Sequence, residues 1–172
     1  MNVEVEGMKR VYITSHVEDH ERLCRIRNEI WSTVDAIELY RKVNPHITIV
    51  PPFYIPEQKM GVVDEALDGI DIEGKSVNIQ NFKVWPDLSE STYLMLNVDV
   101  DMRDEQLSLV DDLRDSGAEY MKTPVSPHIT MMKSNREWSE PPDDVKRRIQ
   151  SAVGDYNDLK DTKIESVEPV IG

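Results

Sequence analysis

Apolar residues recur along this chain at two different periods, and the period changes several times. Val11-Tyr12-Ile13-Thr14 alternates as a strand does, and it predicts a first strand. From about Glu18 the spacing lengthens to steps of three and four: Leu23, Ile26, Ile30, Val34, Ile37 and Tyr40 make the apolar stripe of a helix. Glu18, Asp19 and Glu21 stand at its N-terminal end, where the helix dipole favours acids. Asn44-Pro45 ends that helix and leads into a second strand over 46–50, which Pro51-Pro52 stops. A helix over about 59–70 follows, with Val62, Val63, Ala66, Leu67 and Ile70 on one side. Two strands, 76–85 and 91–100, flank a turn at Pro86-Asp87. A third helix from Asp101 to Ser116 closes at Gly117, and a strand over 126–132 comes after it. Ser139 opens a fourth helix to about Val153, and 164–170 is a last strand. Strands and helices in this order describe an α+β protein whose two halves are alike.

The likeness of the halves has a sharper form in residue identities. Pro45-His46-Ile47-Thr48 and Pro127-His128-Ile129-Thr130 are the same tetrapeptide, and each copy is followed by a further apolar residue, Ile49 or Met131. Only four histidines occur in the chain, and two of them share this context. On a strand, His46 and Thr48 take one face while Ile47 and Ile49 take the other; the second copy repeats the pattern. A duplicated α+β unit would relate the copies by a pseudo-two-fold axis and turn them toward each other across a cleft. Two imidazoles would then serve as proton donor and acceptor near neutral pH, and two hydroxyls would donate hydrogen bonds to phosphate oxygens. That is equipment for acid–base chemistry on a phosphate ester.

Composition narrows the setting. The 172 residues are enough for one domain with a real core, so residues 1–172 are expected to form a single domain of two lobes with one motif in each. No apolar run approaches the roughly 20 residues of a membrane span, and no secretory pattern is visible. Cys24 is the one cysteine and is expected to be buried on the first helix; a cytoplasmic monomer without membrane contact is the simplest expectation. Asp plus Glu number 33 against 20 Lys plus Arg, a net charge of −13 spread along the chain. Such a field repels long nucleic acids, so no extended nucleic-acid surface is expected, and the spread of acids suggests a halophilic source. A small phosphorylated substrate in a local pocket is compatible with it.

The paired His46-Ile47-Thr48-Ile49 and His128-Ile129-Thr130-Met131 resemble the defining motif of the two-histidine (2H) phosphoesterase superfamily, which includes the 2′,5′ RNA ligase-like proteins and cyclic phosphodiesterases. The resemblance covers most of the chain, since element order, motif spacing and the strand pair between the motifs also fit. It implies a duplicated, bilobal fold of antiparallel sheets with helices outside and a central cleft. It further implies a metal-independent phosphodiesterase acting on 2′,3′-cyclic phosphates or 2′,5′-linked nucleotide or RNA ends, needing no cofactor. The ring would open to a 2′-phosphate, and with a 5′-hydroxyl in place of water the reverse reaction would be 2′,5′ ligation.

On this reading His46 and His128 are the catalytic residues, Thr48 and Thr130 bind phosphate, and Lys133, further along the second motif strand, is a weaker phosphate contact. Phe53 and Tyr54 could stack on a base, although a lone aromatic there more often packs in the core. Trp85 and Tyr93 read as packing residues, Thr14 as a residue of the cleft floor at most, and His16 and His20 as ordinary polar residues. Three other readings stay open: a binding module for nucleotides or RNA ends that keeps the phosphate cradle without catalysis, a purely structural duplication, and a metal site in which an acid joins the histidines.

Overall fold

The computed structural model describes residues 7–33, 40–86, 92–134, 147–148, 151 and 160–172. The strands are β1 (Met8–Val17), β2 (Tyr40–Lys42), β3 (Ile47–Pro56), β4 (Ser76–Pro86), β5 (Thr92–Asp99), β6 (His128–Ser134) and β7 (Thr162–Ile171). The helices are α1 (His20–Thr33), α2 (Met60–Asp68), preceded by a 3-10 turn at Glu57–Lys59, and α3 (Arg103–Asp115). Every strand pairing is antiparallel. Six strands close on themselves in the order β6–β3–β1–β7–β4–β5 and back to β6. The short β2 lies along the same edge of β6 as β3, because Met132 pairs with Lys42 on one side and Leu94 on the other, as Ile129 does with Ile47 and Leu96.

One face of this sheet and the inner sides of the helices make the core. Val11, Ile13, Ile47, Ile49, Val50, Phe53 and Ile55 from the strands meet Leu23, Ile26 and Ile30 of α1, Val63 of α2 and Leu109, Val110 and Leu113 of α3. Burying each such aliphatic side chain contributes about 1.5–3 kcal/mol relative to leaving it in water. The helix stripes therefore lie where the three-and-four spacing puts them. Gly117 closes α3 with φ +108°, a conformation that side chains resist, while Ala118 N–H returns to the Leu113 carbonyl at 2.9 Å.

Three expectations need correction. The first helix ends its described run at Thr33, and Tyr40 belongs to β2 instead of the helix stripe; Val34 and Ile37 lie outside the described residues. Pro51-Pro52 does not stop the strand. Val11 pairs with Phe53 and Ile13 with Val50, so the two prolines stand opposite Tyr12 alone. At such a bulge the ladder does not need their missing N–H groups, and β3 continues to Pro56. Cys24 is half-buried rather than enclosed, with its sulfur 4.0 Å from His20 Nδ1. The fourth helix falls mostly outside the described residues, where Arg147, Arg148 and Ser151 are helical. Among the described residues no helix is long and apolar enough to cross a membrane.

Candidate active site

Strand pairing brings the two tetrapeptides side by side. Ile47 of β3 is directly opposite Ile129 of β6. The strands run antiparallel, so His46 comes beside Thr130 and Thr48 beside His128, and all four share the sheet face opposite the core. Thr14 on β1 is directly opposite Thr48, and Asn97 on β5 directly opposite His128, so both belong to that face as well. Asn97 is tied in turn to Asn81 of β4, its Nδ2 donating to Asn81 Oδ1 at 3.0 Å.

Each copy carries a bulge directly after the threonine. On β3 the register with β1 steps from Thr48 to Val50, passing Ile49; on β6 the register with β5 steps from Thr130 to Met132, passing Met131. The extra residue lets two consecutive apolar side chains enter the core, and Ile49, Val50, Met131 and Met132 are all fully buried. The bulge also resets the alternation beyond it. Simple alternation would put Lys133 on the core face with Ile129. With Met131 passed over, Lys133 pairs with position 93 of β5, two steps from Met95, the partner of Thr130, and so it comes to the motif face.

The two imidazoles are held in the same way. His46 Nδ1–H donates to the Asn44 carbonyl at 2.7 Å, and His128 Nδ1–H donates to the Ser126 carbonyl at 3.0 Å. A carbonyl can only accept, so the proton on Nδ1 is fixed by the bond and Nε2 is the nitrogen turned to other partners. Each acceptor is the residue before the proline of Pro-His-Ile-Thr, which the proline ring keeps extended. The 43–46 segment is pinned from two sides: Arg27 of α1 donates to the Val43 carbonyl at 3.0 Å, and Val43 N–H to the Met131 carbonyl at 3.1 Å.

A cavity of about 320 Å³ opens beside His46, lined by Tyr12, Thr14, His16, Val43, Asn44, His46, Glu168 and Val170. Tyr12, Thr14 and His16 alternate along β1, and their direct partners on β7 are Val170, Glu168 and Ser166. His16 stands near the end of β1, as its sequence context suggests, and it also meets the polar groups of this cavity. Its Nδ1 lies 3.5 Å from Glu168 Oε1, and its Nε2 receives Asn44 Nδ2–H at 3.5 Å. His20, at the start of α1, donates Nε2–H to Asn44 Oδ1 at 3.0 Å and meets His16 edge to face at 4.8 Å between ring centroids. Asn44 thus links three histidines, two through its side chain and His46 through its carbonyl. Burial holds the pKa of His46 below the usual imidazole value, and His16 and His128 push it further down, against the Asn44 bond that raises it.

Of the residues singled out by sequence, His46, Thr48, His128, Thr130 and Lys133 come to one sheet face, with Thr14 beside them, while only His46 and Thr14 among them line the cavity. Phe53 is fully buried in the core, and Tyr54 packs edge to face on Tyr120, away from the motifs. The side chains of Trp85 and Tyr93 lie outside the described residues. Sequence reasoning missed His16, Asn44, Asn97 and Glu168. Only Asn44 carried a local signal, its place directly before the repeated proline. Among the described residues, no three of His, Cys, Asp and Glu are grouped to hold a metal ion.

No family model matches the chain, and no curated protein is similar to it in sequence. Solved structures are similar in fold. Usb1 of Kluyveromyces marxianus superimposes with a TM-score of 0.58 at 9% identity over 95% of this chain and 94% of that one, and its structure with uridine monophosphate gives the same values. TT0787 of Thermus thermophilus gives 0.52 at 14% identity over 94% of this chain and 84% of that one. At these identities the likeness is one of fold: over nearly its whole length this chain is built on the fold of Usb1 and TT0787.

Proposed function

We propose that the protein is a metal-independent phosphodiesterase that opens 2′,3′-cyclic phosphates, or cleaves 2′,5′-linked nucleotide or RNA ends, with His46 as general base and His128 as general acid. The observation that carries this reading is the matched anchoring of the two imidazoles. Each Nδ1–H is bound to the carbonyl two residues back, which makes Nε2 the nitrogen through which each ring would exchange a proton on a shared sheet face. The lowered pKa of His46 suits the residue that must be neutral to accept a proton. A similar fold that binds uridine monophosphate supports a nucleotide substrate.

In hydrolysis, His46 Nε2 takes a proton from water as the water oxygen attacks phosphorus. His128 Nε2–H gives its proton to the departing ribose oxygen, and a 2′-phosphate remains. Thr48 and Thr130 hydroxyls donate to the non-bridging oxygens as their charge grows, and Lys133 adds a cation on the same face. With a 5′-hydroxyl in place of water, His46 takes the hydroxyl proton, His128 protonates the departing ribose oxygen, and the site joins ends through a 2′,5′ linkage; the roles exchange when that linkage is cleaved. The two halves would form lobes facing each other across the phosphate, one motif in each.

The test is turnover of 2′,3′-cyclic nucleotides. Replacing His46 or His128 by alanine should each lower kcat/KM by about 10²–10⁴-fold, the range for a well-placed general acid or base, with EDTA without effect. Full activity in both variants would refute the reading. Binding without turnover in the unaltered protein would favour a phosphate-binding module on the same fold.

A further inference from the structure

The cavity beside His46 continues the motif face along β1, but its lining differs in character from the two motifs. Tyr12, Val43 and Val170 give it an aromatic wall and two apolar ones, and its carboxylate is Glu168, whose side chain is half exposed. A phosphate placed there would meet that negative charge. An ionised carboxylate only accepts hydrogen bonds and has roughly four lone-pair sites, of which a single imidazole takes one. The cavity therefore suits a neutral, flat part of the substrate that donates N–H groups. Its volume, about 320 Å³, is at the small end of the roughly 300–1,000 Å³ range of ligand pockets and fits one nucleoside.

Among nucleobases, an acceptor-only reader discriminates by the pattern of donors. Guanine presents a ring N–H next to an exocyclic amine, two donors for two carboxylate oxygens. Uracil has one N–H between two carbonyls. Cytosine and adenine set their amine beside a ring nitrogen that accepts, and that nitrogen would face the second carboxylate oxygen unfavourably.

We propose that this cavity is the base subsite of the enzyme, that it prefers guanine, and that Glu168 reads the guanine edge over the wall formed by Tyr12 and Val170. The proposal rests on the phosphodiesterase reading for the place of the phosphate, next to His46. In this arrangement His16 is a positioning residue: it lies 3.5 Å from Glu168 and is itself held by Asn44.

Calorimetry on the full chain tests it without turnover, with guanosine 2′-monophosphate and uridine 2′-monophosphate as probes. The unaltered protein should bind the guanosine nucleotide at least about tenfold more tightly, the scale of one or two hydrogen bonds to a charged acceptor. Glu168→Gln should bring the ratio close to one. Glu165→Gln, an exposed acid of β7 outside the cavity, should leave the ratio intact. Should Glu168→Gln fail to fold by circular dichroism, Glu168→Asp, which withdraws the carboxylate, should lower the ratio instead. A ratio near one in the unaltered protein, a preference that survives the Glu168 variant, or no binding of either nucleotide overturns the proposal. Because binding is measured apart from hydrolysis, the base subsite can fail while all four cyclic nucleotides are still cleaved. If instead the His46 and His128 variants keep full activity, it is the catalytic reading that fails, whatever the guanine preference, so the two failures are told apart.

Discussion

An imidazole tied through Nδ1 to a carbonyl has a single nitrogen left for the substrate, so its usefulness depends on whether that nitrogen carries a proton at the working pH. For His46 the balance tips toward the neutral form. Burial is the largest cause, and the imidazoles of His16 and His128 add to it. A base must be deprotonated to act, so the acidic limb of kcat/KM should fall below the ordinary imidazole value of about 6.5. A limb at or above that value would contradict the assignment of His46 as base. Because His46 and His128 influence each other, the limbs report the pair, and a substitution separates their causes better than the profile alone. The groups facing His16 are Glu168 from β7, His20 from α1, and Asn44 and His46 from the segment entering β3. Replacing His16 by asparagine removes one imidazole that opposes protonation of His46. The acidic limb should then move up in pH, toward 6.5; an unmoved limb would mean that burial and His128 alone set it.

The pH dependence of stability has the same sign. His46 binds protons less readily folded than unfolded, so between the two pKa values the unfolded state holds more protons and gains on the folded state as pH falls. The contribution is intact above about pH 6.5 and is lost as pH drops toward the folded value. Denaturation midpoints at pH 7.5 and pH 5.5 should therefore lie closer together in His46→Gln than in the unaltered chain, where carboxylates contribute the remaining difference.

At the scale of elements, the repeated tetrapeptide was legible because a strand's period of two is a local property, and so was the pairing of residues within each motif. What lies between strands was not. His16 and Glu168 meet because β1 and β7 pair in a particular register, and nothing near either residue in sequence announces it. The bulges were partly legible. Two consecutive apolar residues after each threonine, Ile49-Val50 and Met131-Met132, cannot both face one side of a regular strand. Reading that conflict would have put Lys133 on the motif face and allowed Pro51-Pro52 inside β3. One bulge also depends on a helix. Gln106 of α3 is buried, and its Nε2 donates at 3.0 Å to the carbonyl of Ile49, the residue passed over in the β1 register. Gln106→Leu should leave that carbonyl unpaired in the core and destabilise the protein by about 1–3 kcal/mol, read as a lower urea midpoint at unchanged slope. No change in midpoint would mean that water or a shifted strand satisfies the carbonyl.

For the molecule as a whole, 33 acids against 20 bases leave a net charge of −13 that no pairing among them cancels. Contacts such as Lys75–Glu105 at 2.9 Å and Arg114–Asp111 at 3.6 Å cannot remove that excess. The folded chain crowds these charges closer than the unfolded one does, so their repulsion opposes folding, and it also opposes the approach of an anionic substrate. Salt acts on both. Screening shortens from about 10 Å at 0.1 M to about 3 Å at 1 M, which spares contacts within the site and weakens repulsion across the surface. The melting temperature should therefore rise as KCl increases from low concentration to about 1 M, and kcat/KM for a cyclic nucleotide should rise about two- to fivefold over the first part of that range. The direction of the rate effect is the informative part. A fall in kcat/KM with added salt would mean that the field felt by the substrate is set by the cations of the motif face, Lys133 among them. Surface acidity would then have no part in how substrate reaches His46.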